Sequence, residues 1–77
     1  MPSGCTWESH YELGVLLEKQ RKFQDAAAEL ERSVEIRPEQ ADAHYHLSRV
    51  YDRLGQSEKA ALHREAHQRL TSAGGVK

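Results

Sequence analysis

Seventy-seven residues, 38% hydrophobic and 30% charged, with a mean hydropathy of −0.83, are expected of one small soluble domain or a piece of a larger one, with no room for two. No stretch approaches the roughly 18 consecutive apolar residues of a membrane span, and the N-terminus lacks the basic-then-apolar run of a signal peptide. Eleven basic against twelve acidic side chains leave a net charge of −1, so no basic field favours nucleic acid or an anionic membrane surface. The lone Cys5 cannot close an internal disulfide, which fits a reducing, cytoplasmic setting.

Residues 1–6 read as a disordered lead, too short for a helix. From Thr6 to about Gln20, His10, Leu13, Gly14 and Leu17 recur at i, i+3, i+4 and i+7, which predicts an amphipathic helix. A second helix follows from Phe23 with the stripe Ala26, Ala27, Leu30 and Val34. It stops at Arg37, because the residue before Pro38 is pushed out of the α region. A third runs from Glu39 or Gln40 to Leu54 with His44, Leu47, Ser48 and Tyr51 on one stripe, and Gly55 offers a left-handed exit. Ser57 reads as the N-cap of a fourth, reaching about Thr71 and carrying Ala60, Ala61 and Leu70. Ser72 to Lys77 should fray, with a disordered tail over 75–77. No period-two run marks a strand, so the fold class is all-α.

The four helices are two copies of one pair. Shifting the chain by 34 places aligns His10 with His44, Tyr11 with Tyr45, Leu13 with Leu47, Ala26 with Ala60, Ala27 with Ala61 and Glu31 with Glu65. A fixed period of that length in helix–turn–helix units means stacked repeats, here over 7–40 and 41–74.

With its His10, Leu13, Gly14, Leu17, Ala26, Leu30 and Pro38, and then His44, Leu47, Ser48, Tyr51 and Ala60, the chain resembles the tetratricopeptide repeat family. The segment IRPEQADAHYHL resembles the junction between two such repeats. The resemblance implies four antiparallel helices stacked as a short right-handed α-solenoid. The small pairs Gly14 with Ala26 and Ser48 with Ala60 then let the helices of a repeat approach closely. Arg64 and His67 stand where a further repeat would pack, and Ser72 replaces the junction proline, so the second repeat reads as a capping, C-terminal one.

Five histidines raise a metal hypothesis. His63 and His67 share a helix face, but Arg64 stands where a zinc protease needs Glu, and no second cluster supplies further ligands. A solvated outer helix accounts for them more simply, and His10 and His44 read as packing groups. Carboxylates such as Glu18 have Lys or Arg three or four places on, which is ordinary helix surface. No nucleophile stands beside a base and no glycine-rich loop cradles phosphate, so no enzyme and no cofactor are predicted.

What remains is the second face of the first and third helices. The resemblance implies that it lines a concave groove for an extended peptide or a partner helix. The candidates are Glu8, Tyr11, Glu12, Val15 and Lys19 on the first helix, and Asp42, Tyr45, His46, Arg49 and Arg53 on the third. Tyr11 and Tyr45 are expected side by side as anchors, or as cement between repeats. Charge runs from acidic (Glu8, Glu12, Asp42) to basic (Lys19, Arg49, Arg53), which a polarised ligand and the helix macrodipole explain equally. Tyr11 and Val15 replace the Lys and Asn of the family's clamp for acidic chaperone tails, which speaks against that ligand. The function expected is protein or peptide recognition; the alternative is an end-capping or self-associating fragment of a longer scaffold. Trp7, Phe23 and Leu16, on the uncovered side of the first pair, would then support a homodimer.

Overall fold

A computed structural model describes residues 6–75. Most of the expected lead and tail, including Cys5, lies outside them. Four helices follow one another: α1 (Trp7–Lys19), α2 (Phe23–Ile36), α3 (Ala41–Arg53) and α4 (Ser57–Gly75). The helices pack as two hairpins, α1 with α2 and α3 with α4, joined mainly where α2 lies against α3. Among the described residues there is no strand, and no helix is long and apolar enough to cross a membrane.

Local chemistry sets the helix ends. Thr6, expected in the lead, caps α1 by accepting from the Ser9 N–H. Arg37 turns extended before Pro38 and ends α2. Ser57 is the first helical residue of α4 rather than its cap; the Gln56 carbonyl accepts the Ala60 N–H instead. That helix continues to Gly75, past the expected end near Thr71.

Both hairpin turns close identically one repeat apart. The Arg21 N–H meets the Glu18 carbonyl and Lys22 that of Leu17; Gly55 meets Asp52 and Gln56 meets Tyr51 in the same way. This pair of hydrogen bonds needs a left-handed residue at its centre. Gly55 (φ 78°) supplies it without cost, whereas Arg21 (φ 64°) occupies it against a steric penalty.

The core is Ala26, Ala27, Leu30, Val34, Ala43, Leu47, Val50, Tyr51 and Ala60, with Tyr11, Leu17, Phe23 and Leu54 packed on its margin. The predicted stripes of α2 and α3 are all buried. Two expectations fail. Leu13 is 43% exposed, because the surface that α2 covers on α3 has no helix over it on α1. Ala61 is exposed for the matching reason at the other end, on the outer side of α4.

Gly14 is where α1 and α2 come closest. A Cβ there would lie 2.6 Å from Leu30 Cγ, 2.9 Å from its Cδ2 and 3.3 Å from the Ala26 carbonyl. Leu30 is fully buried and has nowhere to retreat. At the equivalent position Ser48 is buried and turns its hydroxyl back to the Tyr45 carbonyl, 2.7 Å away.

A polar knot fastens the repeats. Buried Gln40 donates through Nε2 to the carbonyls of Ser33 (2.9 Å) and Arg37 (2.8 Å). Its Oε1 accepts from the Ser33 hydroxyl at 3.1 Å, which also reaches the Trp7 carbonyl at 2.9 Å. Ser33 and Gln40 together thereby tie the start of α1, the end of α2 and the start of α3.

Two substitutions test these packing arguments by chemical denaturation. Gly14→Ala gains up to about 1 kcal/mol of helix propensity but overpacks Leu30 by about 1–3 kcal/mol, so the net change is a loss. Arg21→Gly relieves the left-handed strain and raises stability by about 0.5–1 kcal/mol.

Candidate binding groove

α1 and α3 lie side by side with α2 and α4 behind them, so their second faces form one surface. Ten candidates came from the sequence, and the structure divides them. Glu8, Tyr11, Glu12 and Asp42 line an open hollow of about 490 Å³ at the helix N-termini, together with Trp7, Glu39 and one cation, Arg37. Lys19, Arg49 and Arg53 line a smaller one of about 130 Å³ at the other end, with Glu18, Arg21 and Phe23. Val15, half-buried, lines neither hollow. One end of the surface is acidic and the other basic.

Between the ends stands an aromatic group. Tyr11 and Tyr45 do not touch as neighbours; the His46 ring is wedged between them, 5.8 Å from Tyr11 and 5.7 Å from Tyr45, edge-on to both. The two tyrosines differ in kind. Tyr11 packs against the core, and burial, then the charges of Asp42 and Glu18, push its hydroxyl above its ordinary value. Tyr45 is 44% exposed. Its ring lies against the His67 ring of α4 at 5.4 Å, with the Arg49 guanidinium 5.6 Å from its centre.

Glu18 fixes the wedge. A carboxylate only accepts, so His46 Nδ1 carries the hydrogen it donates to Glu18 Oε1 at 2.9 Å. Arg49 approaches the other oxygen at 3.5 Å. Only 12% of the Glu18 side chain is exposed, which corrects the reading of this carboxylate as ordinary surface. The hydrogen bond from His46 of α3 to Glu18 of α1, with Arg49 beside it, therefore orients the ring between the tyrosines.

His10, His44 and His63 also make polar contacts, beyond the packing expected of the first two. His10 Nδ1 donates to Glu29 Oε1 at 2.8 Å. His44 Nε2 donates to the Pro38 carbonyl (2.9 Å), His63 Nε2 donates to Glu31 Oε2 (3.3 Å), and the two inner Nδ1 atoms face each other 2.9 Å apart. The Tyr51 hydroxyl also donates to Glu31, at 2.6 Å. His63 and His67 thus turn to different neighbours. Among the described residues, no group of three His, Cys, Asp or Glu side chains is placed to hold a metal ion.

Glu31 is held below the ordinary carboxylate value of 4.5. The His63 hydrogen bond is the main cause, opposed by burial and reinforced by Tyr51 and the charges of His63 and Lys59. Its partner Tyr51 is pushed well above the usual phenol value, by burial first and then by Glu31.

A family model described as tetratricopeptide repeat matches residues 17–62, more than half of the chain. No curated protein and no solved structure gives a match.

The pH dependence of stability follows from Glu31. Its folded value lies below its unfolded one, so its contribution is present above about pH 4.5 and disappears as the pH falls through the folded value. Urea midpoints should fall between about pH 5 and pH 3 in the wild type, and less steeply in Glu31→Gln. Equal slopes in both proteins would contradict the assignment.

Proposed function

This chain belongs to the tetratricopeptide repeat family, whose members are protein-interaction modules, and we propose that it binds an extended segment of a partner protein along the α1–α3 surface. The observation that carries the reading is Tyr45: a large aromatic side chain, 44% exposed, midway between an acidic and a basic hollow. Aromatic side chains held rigidly at the centre of a polar surface are the usual anchors of interfaces. His67, Arg49 and the His46 wedge hold its ring in place, so little side-chain freedom remains to be lost on binding.

The ligand complementary to this surface carries basic residues at one end, an apolar or aromatic residue in the middle and acidic residues at the other. Its basic end meets Glu8, Glu12 and Asp42; its acidic end meets Lys19, Arg49 and Arg53. Complementarity of this kind selects direction and speeds encounter more than it adds affinity. No step of this reading requires catalysis or a cofactor, and the lone Cys5 suits a cytoplasmic setting.

The test uses two peptides of equal composition, one ordered basic–aromatic–acidic and the other reversed, titrated against Trp7 fluorescence from the acidic hollow. Opposite salt dependence or a clear preference for one order supports a polarised groove; equal, weak binding of both sinks it. In the same assay Tyr45→Ala should weaken the preferred peptide by about 2 kcal/mol with little loss of stability. Tyr11→Ala should instead cost about 2–4 kcal/mol of folding stability, as expected for a ring packed on the core.

A further inference from the structure

The two repeats allow an internal comparison of one helix face. On α3, Ala43, Leu47 and Val50 are fully buried, with α2 packed against that helix. The residues 34 places earlier on α1 are Ser9, Leu13 and Leu16. Ser9 is exposed, Leu13 is 43% exposed and Leu16 is 50% exposed. Trp7 and Phe23, the other side chains expected on an uncovered side, are half-buried: Arg37 lies over the Trp7 ring at 5.2 Å, and Phe23 packs on the core. Ile36 of α2 and Leu62 of α4 are exposed singly, whereas Leu13 and Leu16 lie on successive turns of one helix and form an open apolar stripe along α1.

The stripe has the spacing of a helix-pairing seam. Ser9, Leu13, Leu16 and Gln20 follow at intervals of four, three and four, the alternation that keeps one face toward a partner helix. Along one margin stand exposed Glu12 and Lys19, seven residues apart. In an antiparallel pair of identical helices, Leu13 faces Leu16 of the other copy, and Glu12 of each falls opposite Lys19 of the other. A parallel pair makes no such match, because it sets that margin beside the other copy's opposite one, where His10 and Leu17 stand.

Head-to-tail stacking through α4 is the competing geometry, and charge opposes it. Glu31 of α2 reaches Tyr51 and His63 in the second repeat. The equivalent residue of α4 is Glu65, and the positions it would meet on the next copy hold Leu17 and Glu29. Glu29 already accepts from His10, so a second carboxylate there finds no donor and meets a like charge.

We propose that this face of α1 is a homodimer interface, in which two copies pair antiparallel across a twofold axis and bury Leu13 and Leu16 of each against Leu16 and Leu13 of the other. The self-complementary patch closes on itself, as twofold contacts do, and stops at two. A contact made by one helix of 13 residues is at the small end of specific interfaces, so the dimer is weak, with a dissociation constant on the order of 100 µM.

Sedimentation equilibrium of the full chain with reductant, from roughly 10 µM to 1 mM to bracket that constant, tests this. The expected result is a monomer–dimer equilibrium that Leu13→Glu shifts at least tenfold toward monomer while its circular dichroism and thermal midpoint stay close to wild type. Leu16→Gln serves as the second variant if Leu13→Glu fails to fold. Glu12→Lys and Lys19→Glu should each weaken the dimer roughly three- to tenfold, and the double exchange should restore it, a recovery that only the antiparallel pairing gives. A monomer throughout, a dimer indifferent to both leucine variants, or no recovery in the double exchange would overturn the proposal. So would assemblies that grow past two and strengthen in Glu65→Gln, which would identify head-to-tail stacking.

Discussion

What the surface of this domain presents depends on how α2 is locked onto α3. Helices of a single repeat are held by apolar burial, by the gap that Gly14 leaves for Leu30, and by one histidine contact each, His10 with Glu29 and His44 with His63. The joint between repeats adds two polar assemblies, one of them buried around Gln40 and Ser33 and the other part-exposed around Glu31. Gln40 satisfies two carbonyls and accepts from Ser33, while Glu31 accepts from Tyr51 and His63. Hydrogen bonds are directional where apolar contacts are not, so these groups fix the angle and register of the stack. The relative placement of α1 and α3 follows from that joint, and with it the distance between Tyr11, His46 and Tyr45. Truncating Gln40 would strand several buried groups at about 1–3 kcal/mol each, a large fraction of the stability of so small a domain.

The fold was legible in the sequence because repetition amplifies a weak signal. A period of 3.6 in one helix is modest evidence, but the same stripe recurring 34 places later is strong. Ala26, Ala27, Leu30, Val34, His44, Leu47, Ser48 and Tyr51 are all buried as their spacing predicts. The misses share a cause. Periodicity reveals which face of a helix is apolar, not whether another helix exists to cover it, so Leu13 and Ala61 were assigned to the interior from their pattern alone. Ser33 and Gln40 escaped for the opposite reason: they are polar, and only the joint makes them core. Arg21 occupies the left-handed position that Gly55 fills one repeat later, and only the alignment of repeats could have exposed it.

The candidate groove was legible at its ends and not at its centre. Charges at helix termini can be read directly, and the acidic and basic hollows lie where the residues suggested. The centre depends on Glu18, His46 and Arg49, and the hydrogen bond between the first two spans 28 positions. Such a contact has no local signature. Nor does the sequence distinguish Tyr11 from Tyr45, which occupy the same repeat position. Tyr45 stays 44% exposed with His67 beside it, whereas Tyr11 packs on the core; tertiary placement separates two side chains that the alignment treats as one.

That divergence at equivalent positions extends to the histidines and bears on what each outer face of the stack can accept. His44 is linked through His63 to Glu31, an acid supplied by the neighbouring repeat. His10 finds its acid inside its own repeat, in Glu29, which occupies the position of His63. Leu17 likewise replaces the hydroxyl-bearing Tyr51, so the first repeat has no donor waiting for an acid from outside. A helix seated on α1 in the manner of α2 would meet apolar side chains and a carboxylate already engaged. The second repeat is thus built to be joined through polar groups, and the first is polar-complete with an apolar stripe left over. A surface of that kind discriminates among partners by shape and by repulsion from Glu29 rather than by hydrogen bonds, which excludes the chain's own α4 while leaving an identical α1 acceptable.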